Sequence, residues 1–328
     1  MVLRILAIIL VMFAASTAFG PAEAATELKL LTSWGPNNVG PTYAVTTIID
    51  EAKKLGGGAL DIKRYGPEVV PPFEQLQPVS SGTFDLLFTH PAYHGGATAI
   101  GTLIDTIATD IEKRRSTGVF DWIDQYYQKN FQVKLIATPS QTGYQFILKE
   151  PLKDEEALRG RKIRSNPAYD PIVKALGGSP VLLPVPQIFT ALQKGLVDGS
   201  AYTVNSLASQ KLYEVVKYMA RPTFGSGNFF FMVNLKKWQA LDSAAQKALL
   251  GAGQKIEATL PWFSQRLEFE DEEQVIIHGG RYTYFDAGNA ARLTQLFNEG
   301  LWAQAITKHG AVAEELVKLL KDKGMDNR

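Results

Sequence analysis

Residues 160–199 read GRKIRSNPAYDPIVKALGGSPVLLPVPQIFTALQKGLVDG, and this stretch decides the architecture. Arg161-Lys162-Ile163-Arg164 is a short β-forming run that soon meets Pro167. Ile172, Val173 and Leu176 then fall on one side of a helical segment closed by Gly177 and Gly178. Val181-Leu182-Leu183 is a second extended run, stopped by Pro184. Pro186 stands where a first helical turn tolerates proline, because that N–H has no intrahelical partner, and Ile188, Ala191, Leu192 and Gly195 follow at helical spacing. Strand, helix, strand and helix in forty residues make an α/β unit, in which ligands sit beyond the carboxyl ends of the strands. Arg164 stands at such an end with no acid for several positions after it, so an anion would be read there.

The same alternation precedes this block. Leu28–Leu31 is a strand leading to Trp34, and a helix follows with Val45, Ile48, Ile49, Ala52 and Leu55 on one face, stopped by Gly56-Gly57-Gly58. Asp61–Tyr65, a short helix over Phe73–Val79 and Phe84–Phe88 complete a βαβαβ order, which implies a mixed, mostly parallel sheet. The triple glycine is not a phosphate loop, since it follows a helix and no Gly-Lys-Ser/Thr comes after it. Further on, Val133–Ala137 and Tyr144–Leu148 read as strands, Leu207 to Val216 as a helix, and Asn228–Asn234, with three consecutive Phe, as a buried strand. From the N-cap Asp242 a helical pattern persists to about Ile277 with Pro261 inside it, a length of about 50 Å that spans two lobes. Tyr282–Phe285 is a last strand and Ala290–Lys321 an amphipathic helix.

The chain of 328 residues exceeds what one hydrophobic core organises, so two lobes are expected: 25–141 with 228–267, and 142–227 with 268–328. Met1–Ala24, with Arg4, an apolar run to Phe19 and Ala22-Glu23-Ala24, reads as a cleavable secretory leader, too short to span a bilayer comfortably. There is no cysteine, hence neither a disulfide framework nor a lipid-attachment site. A net charge of +1 makes no electrostatic case for nucleic acid or an anionic membrane surface.

The run L-R-G-R-K-I-R from Leu158, then G-G-S-P-V, then A-L-Q-K-G-L-V-D-G resembles the solute-binding proteins of tripartite ATP-independent periplasmic (TRAP) transporters, and the likeness extends from about Leu28 to the C-terminus. It implies a two-lobe periplasmic binding protein of α/β class, a long helix across both lobes, export to the periplasm, and delivery of a carboxylate to small and large integral membrane permease subunits. Arg164 maps onto the family's carboxylate-binding arginine. Two positions depart from the pattern: Gln187 replaces the usual acid at the start of the A-L-Q helix, and Tyr202 replaces a frequent Asn. Tyr144 occupies the position where sialic-acid-binding members carry a second arginine, which argues against a heavily hydrated sugar acid.

Around Arg164, the rings of Trp34, Phe73, Tyr93, Tyr144 and Tyr202 fall at strand ends or loops, where packing and ligand contact are equal alternatives. With Val185 they would wall a cleft that rewards an apolar or aromatic ligand body. His90 and Gln187 could read a hydroxyl or keto oxygen, and Asn228 is the cleft candidate at the start of the Phe-rich strand. His90 and His94 have a metal-compatible spacing, but Pro91 lies between them and no zincin pattern follows, so no metal or cofactor is expected. No Gly-x-Ser-x-Gly elbow accompanies His94-Gly95-Gly96, so a hydrolase would lack its nucleophile. The reading is a monomeric binding protein for a small monocarboxylate, possible bodies being aromatic or 2-oxo/2-hydroxy acids. The alternatives are an enzyme acting on an organic acid in the same cleft and a ligand-presenting partner of a sensor receptor.

Overall fold

The structure is a computed structural model that describes residues 25–153 and 157–326. The leader read over Met1–Ala24 lies outside the described residues. No helix among the described residues is long and apolar enough to cross a membrane.

Two sheets carry the molecule. The five-stranded sheet runs in the order Leu60–Tyr65, Thr26–Thr32, Leu86–Thr89, Phe230–Asn234, Val133–Ala137. The six-stranded sheet runs Arg281–Tyr284, Tyr218–Arg221, Tyr144–Leu148, Gly199–Thr203, Lys162–Ser165, Ser179–Leu182. Both are mixed, as expected. Among the described residues, the two sheets hold five parallel and four antiparallel pairings. The βαβ stretches supply the parallel pairs, whereas the strands beside the crossings between sheets, Phe230–Asn234 and Tyr144–Leu148, run against both of their neighbours.

The Phe-rich run is an interior strand, fourth of five in its sheet, and buried on both faces. Phe230 and Met232 join one apolar cluster while Phe229, Phe231 and Val233 join the other, the period of two that a pleated strand imposes. The chain leaves the first sheet through Ser140–Gln141 and returns through Gly227–Asn228, and these two crossings pair antiparallel with each other. They form a two-stranded ribbon on which the two sheets meet.

The long helix is Ser243–Ile277, capped by the Asp242 carboxylate accepting from the Ala245 N–H at 2.7 Å. It packs along the helix Val39–Leu55 and over the first sheet. Gly253 permits that approach, since a Cβ there would lie 3.0 Å from Ala137 and Ile136 side-chain atoms. Beside Pro261, Ser264 donates to the Pro261 carbonyl at 3.0 Å and accepts from the Thr142 N–H at 3.3 Å, tying the helix to the outgoing crossing. Near its far end Arg221 of the second sheet binds Glu272. One rigid rod therefore touches both sheets.

Three expectations change. The helix over Leu207–Val216 is instead a turn-rich segment with one 3₁₀ turn, Leu212–Glu214, because Lys211 takes a left-handed φ of 53°. Ala290–Lys321 is two helices, Ala287–His309 and Ala311–Asp322, broken at Gly310 with φ 53°. These C-terminal helices do not pack with the second sheet alone. Ala287–His309 lies on Asp170–Ala175 and on residues 101–106, and Ala311–Asp322 lies on the helix Val119–Phe131. Trp122 donates to Glu315 at 2.7 Å and Trp302 to Thr106 at 3.0 Å, so the C-terminus clasps the first part of the chain as well.

Candidate functional site

The ends of strands from both sheets enclose a narrow cavity of about 30 Å³. Arg164 enters it from the strand Lys162–Ser165, which pairs parallel with the strands on either side. The residue is 1% exposed. Its Nε donates to the Leu183 carbonyl at 2.8 Å and its Nη1 to the Ala201 carbonyl at 3.1 Å, which fixes the plane of the fork. Nη2 has no partner, and no acid forms an ion pair with this guanidinium among the described residues. A buried cation held only by carbonyls is costly unless a counter-charge arrives. A carboxylate facing Nη2 would supply it.

Three tyrosines from the sequence reading border the same cavity, with Trp34, His90 and Val185. Burial raises the pKa of the Tyr93 hydroxyl, and the Arg164 cation opposes that rise. Tyr202 is raised by burial in the same way, with Arg164 again opposing; the guanidinium carbon lies 6.0 Å from its ring centre. Trp34 meets Phe229 edge-on at 4.9 Å and Tyr93 at 5.9 Å, so the aromatic residues both wall the cavity and pack on one another.

Tyr144 belongs to a different corner. Its hydroxyl donates to Asp105 Oδ2 at 2.9 Å and lies 2.9 Å from His90 Nε2, which is itself 3.0 Å from the same carboxylate oxygen. The Ala92 N–H donates to His90 Nδ1 at 3.1 Å, which places the ring proton on Nε2. Burial pushes the Tyr144 hydroxyl well up, and the nearby Asp105 charge pushes it further.

Three of the predicted residues lie elsewhere. Phe73 is not in the cavity wall but behind it, edge-on to Tyr93 at 5.0 Å. Gln187 is exposed on the turn Val185–Gln187, because the fold turns Val185 inward and the next two residues outward. Asn228 is fully buried beneath the site: its Oδ1 accepts from Arg114 Nη2 at 2.8 Å, and its Nδ2 donates to the Ile104 carbonyl at 3.1 Å and to Ser226 and Asp105. His94 pairs through Nδ1 with the Tyr127 hydroxyl at 3.0 Å, and burial with the neighbouring His90 lowers its pKa to about 3. Among the described residues no group of three His, Cys, Asp or Glu is placed to hold a metal ion.

The sequence reading missed Asp105, Tyr169, Asn38, Gln141 and Asn166. Tyr169, Asn38, Gln141 and Asn166 line the cavity, and Asp105 orients two residues that do. For Asp105 a signal existed: a lone acid inside the apolar run Leu103-Ile104-Asp105-Thr106-Ile107 needs a buried partner. Tyr169 stands 4.8 Å from the Tyr144 ring, edge-on, five residues past Arg164.

Comparison with known proteins agrees with this geometry. The model of bacterial extracellular solute-binding protein family 7 matches residues 42–306. The 2,3-diketo-L-gulonate-binding periplasmic protein YiaO of Escherichia coli is 26% identical over 128 residues, 38% of each chain. The chain thus spans half or less of the length of the first curated relatives it matches. A Bordetella pertussis extracytoplasmic solute receptor that binds pyroglutamic acid superposes with a TM-score of 0.80 at 18% identity, over 90% of this chain and all of that one. A TRAP periplasmic solute-binding protein of Desulfovibrio salexigens with bound orotic acid gives 0.80 at 20% identity, over 90% and 98%. Two sheets joined by paired crossings, a helix that touches both, and a family match over most of the length lead to one conclusion: the chain belongs to bacterial extracellular solute-binding protein family 7, the DctP family of TRAP solute receptors.

Proposed function

We propose that this chain is exported to the periplasm, captures a small monocarboxylate between two lobes and delivers it to the small and large membrane subunits of a TRAP permease. The two lobes of this reading are 25–141 with 228–267 and 142–227 with 268–328, with the C-terminal helices packing on residues of both. The observation that carries the reading is the open Nη2 of Arg164, buried, without an acid partner among the described residues, and bordering a narrow cavity between strand ends of the two sheets that a ligand would widen as the lobes part. The relatives support it: the Bordetella protein binds pyroglutamic acid and the Desulfovibrio protein holds orotic acid, both carboxylic acids. A binding role rather than catalysis fits a site whose polar groups hold one another in place and present one unsatisfied cation.

Closure would occur about the paired crossings Ser140–Gln141 and Gly227–Asn228. Contacts such as Gln210 to Asn38, at 2.7 Å across the mouth of the cavity, exist only when the lobes are together.

Calorimetry on the Arg164 variants tests the reading. Arg164→Ala should weaken carboxylate binding about a hundredfold, because the ligand would be desolvated without its cation. Arg164→Lys should also bind poorly, since the planar fork is lost. Unchanged affinity in both, with folding intact, removes Arg164 from the site and the proposal with it.

A further inference from the structure

Two tyrosines of this cavity have opposite hydrogen-bonding polarity, and their neighbours set it. Near Tyr202, Asn38 Nδ2 donates to the Gly35 carbonyl at 3.3 Å, leaving Oδ1 as the acceptor. Gln210 Nε2 donates to that Oδ1 at 2.7 Å, so the amide nitrogen of Gln210 is the atom that faces the Tyr202 hydroxyl and donates to it as well. The Tyr202 hydrogen is therefore left to donate elsewhere.

At Tyr144 the accounting comes out reversed. Asp105, 0% exposed, is a carboxylate and accepts only; its Oδ1 takes the Asn228 N–H and Nδ2, both at 3.2 Å. Its Oδ2 takes the Tyr144 hydrogen at 2.9 Å. His90, with its proton on Nε2, can only donate, either to the Tyr144 oxygen at 2.9 Å or to Asp105 Oδ2 at 3.0 Å. The one hydrogen of Tyr144 is spent on Asp105 in both cases, so its oxygen can only accept, from His90, from the neighbouring Tyr169 hydroxyl or from a ligand. His90 and Tyr144 both line the cavity and meet at that oxygen.

Building on the carboxylate reading, we infer that the His90–Tyr144–Asp105 corner selects ligands that carry a hydrogen-bond donor, a ring N–H or a hydroxyl, apart from the carboxylate bound at Arg164. A keto or ester oxygen placed there would face a lone pair and lose its hydrogen bond. A second carboxylate would be worse, because it would also approach the buried Asp105 charge. The ligand class narrows to lactam-type or hydroxy monocarboxylates, and the 2-oxo acids and diacids are disfavoured. A site built around a defined donor rejects an isostere lacking it far more sharply than a hydrophobic wall rejects a change of size.

Isosteric pairs test this directly by calorimetry on the mature protein. The first pair is 5-oxopyrrolidine-2-carboxylate, with a ring N–H, against 5-oxotetrahydrofuran-2-carboxylate, with a ring oxygen. The second is mandelate against benzoylformate, hydroxyl against keto. The donor member of at least one pair should bind about tenfold tighter or more. Tyr144→Phe should bring that ratio close to one. Asp105→Asn should shrink or reverse it, because an amide nitrogen facing Tyr144 would donate to its oxygen and free its hydrogen. Equal binding within a pair that binds, a preference for the acceptor member, or a ratio unchanged in Tyr144→Phe overturns the inference and leaves the carboxylate reading standing. Failure of all four acids to bind withdraws both. If a variant does not fold, the wild-type ratios alone decide.

Discussion

Among the described residues two arginines are almost fully buried, Arg114 and Arg164, and they differ in one respect. Arg114 donates from Nε to the Ala108 carbonyl at 2.8 Å, from Nη1 to the Thr138 carbonyl at 3.1 Å and from Nη2 to Asn228 at 2.8 Å. Burial lowers its pKa to about 10, and Glu257, Asp105 and Asp110 resist the fall. Arg164, equally buried, spends two of its nitrogens on carbonyls and leaves the third open. Arg114 is completed by the protein, whereas Arg164 keeps an open Nη2. Burial marks both residues, but unsatisfied valence marks only the one proposed to bind a ligand.

The comparison can be broken most directly at Arg114. Arg114→Met should destabilise the fold by about 3 kcal/mol or more, since it strips the partner from Asn228 and a cation from the Asp105 and Glu257 carboxylates. Chemical denaturation measures it; a midpoint unchanged from wild type would mean that Arg114 is not the completed structural charge described here.

A third buried charge sharpens the contrast. Burial pushes the Asp271 carboxyl on the long helix up to about 6, although the Leu207 and Ala208 N–H groups hold it down, and its Oδ2 has no partner. The folded pKa lies above the ordinary carboxylate value of 3.8. The stability this group contributes is therefore complete below about pH 4 and lost as pH rises through about 6. Asp271→Asn should remove that slope and raise stability at pH 8 by on the order of 2 kcal/mol. Parallel stability-versus-pH curves for variant and wild type would refute the assignment.

Arg164→Met in the ligand-free protein should give a smaller change, within about 1 kcal/mol and in the stabilising direction, because it removes an unpaired buried group. A loss as large as that of Arg114→Met would show that both arginines are structural. Smallest of all is Gln187→Ala, which should leave ligand affinity within about twofold, as suits an exposed residue outside the cavity wall. A tenfold loss would put Gln187 back in the site.

Much of this was legible in the chain. The long helix was placed to the residue by its Asp242 cap and by a pattern that ran on past Pro261, and the Phe-rich strand by three β-forming rings in a row. Arg164 was found because a strand end in an α/β unit is where ligands sit, and because it had no acid nearby in sequence. Between Gly96 and Val133 the helix Val119–Phe131 carries a helical period, but the 3₁₀ turn Gly101–Thr106 and the helix Ile111–Ser116 are too short to show one. That is the region that supplies Asp105 and Arg114.

What the sequence determined by itself was therefore local and periodic: elements, caps, the α/β alternation, the class of protein and the position of the arginine proposed as its anion site. Tertiary structure alone decided which polar groups are satisfied. Asn228, Phe73 and Gln187 looked like cleft residues by position, yet one is consumed by Arg114 and Asp105, one stands behind Tyr93, and one points to solvent. Whether Tyr144 and Tyr202 donate or accept is a property of neighbours 39 and 54 positions away in one case and of Gln210 and Asn38 in the other. Hydrogen-bond valence is counted over atoms brought together from distant parts of the chain, and no window of sequence contains the count.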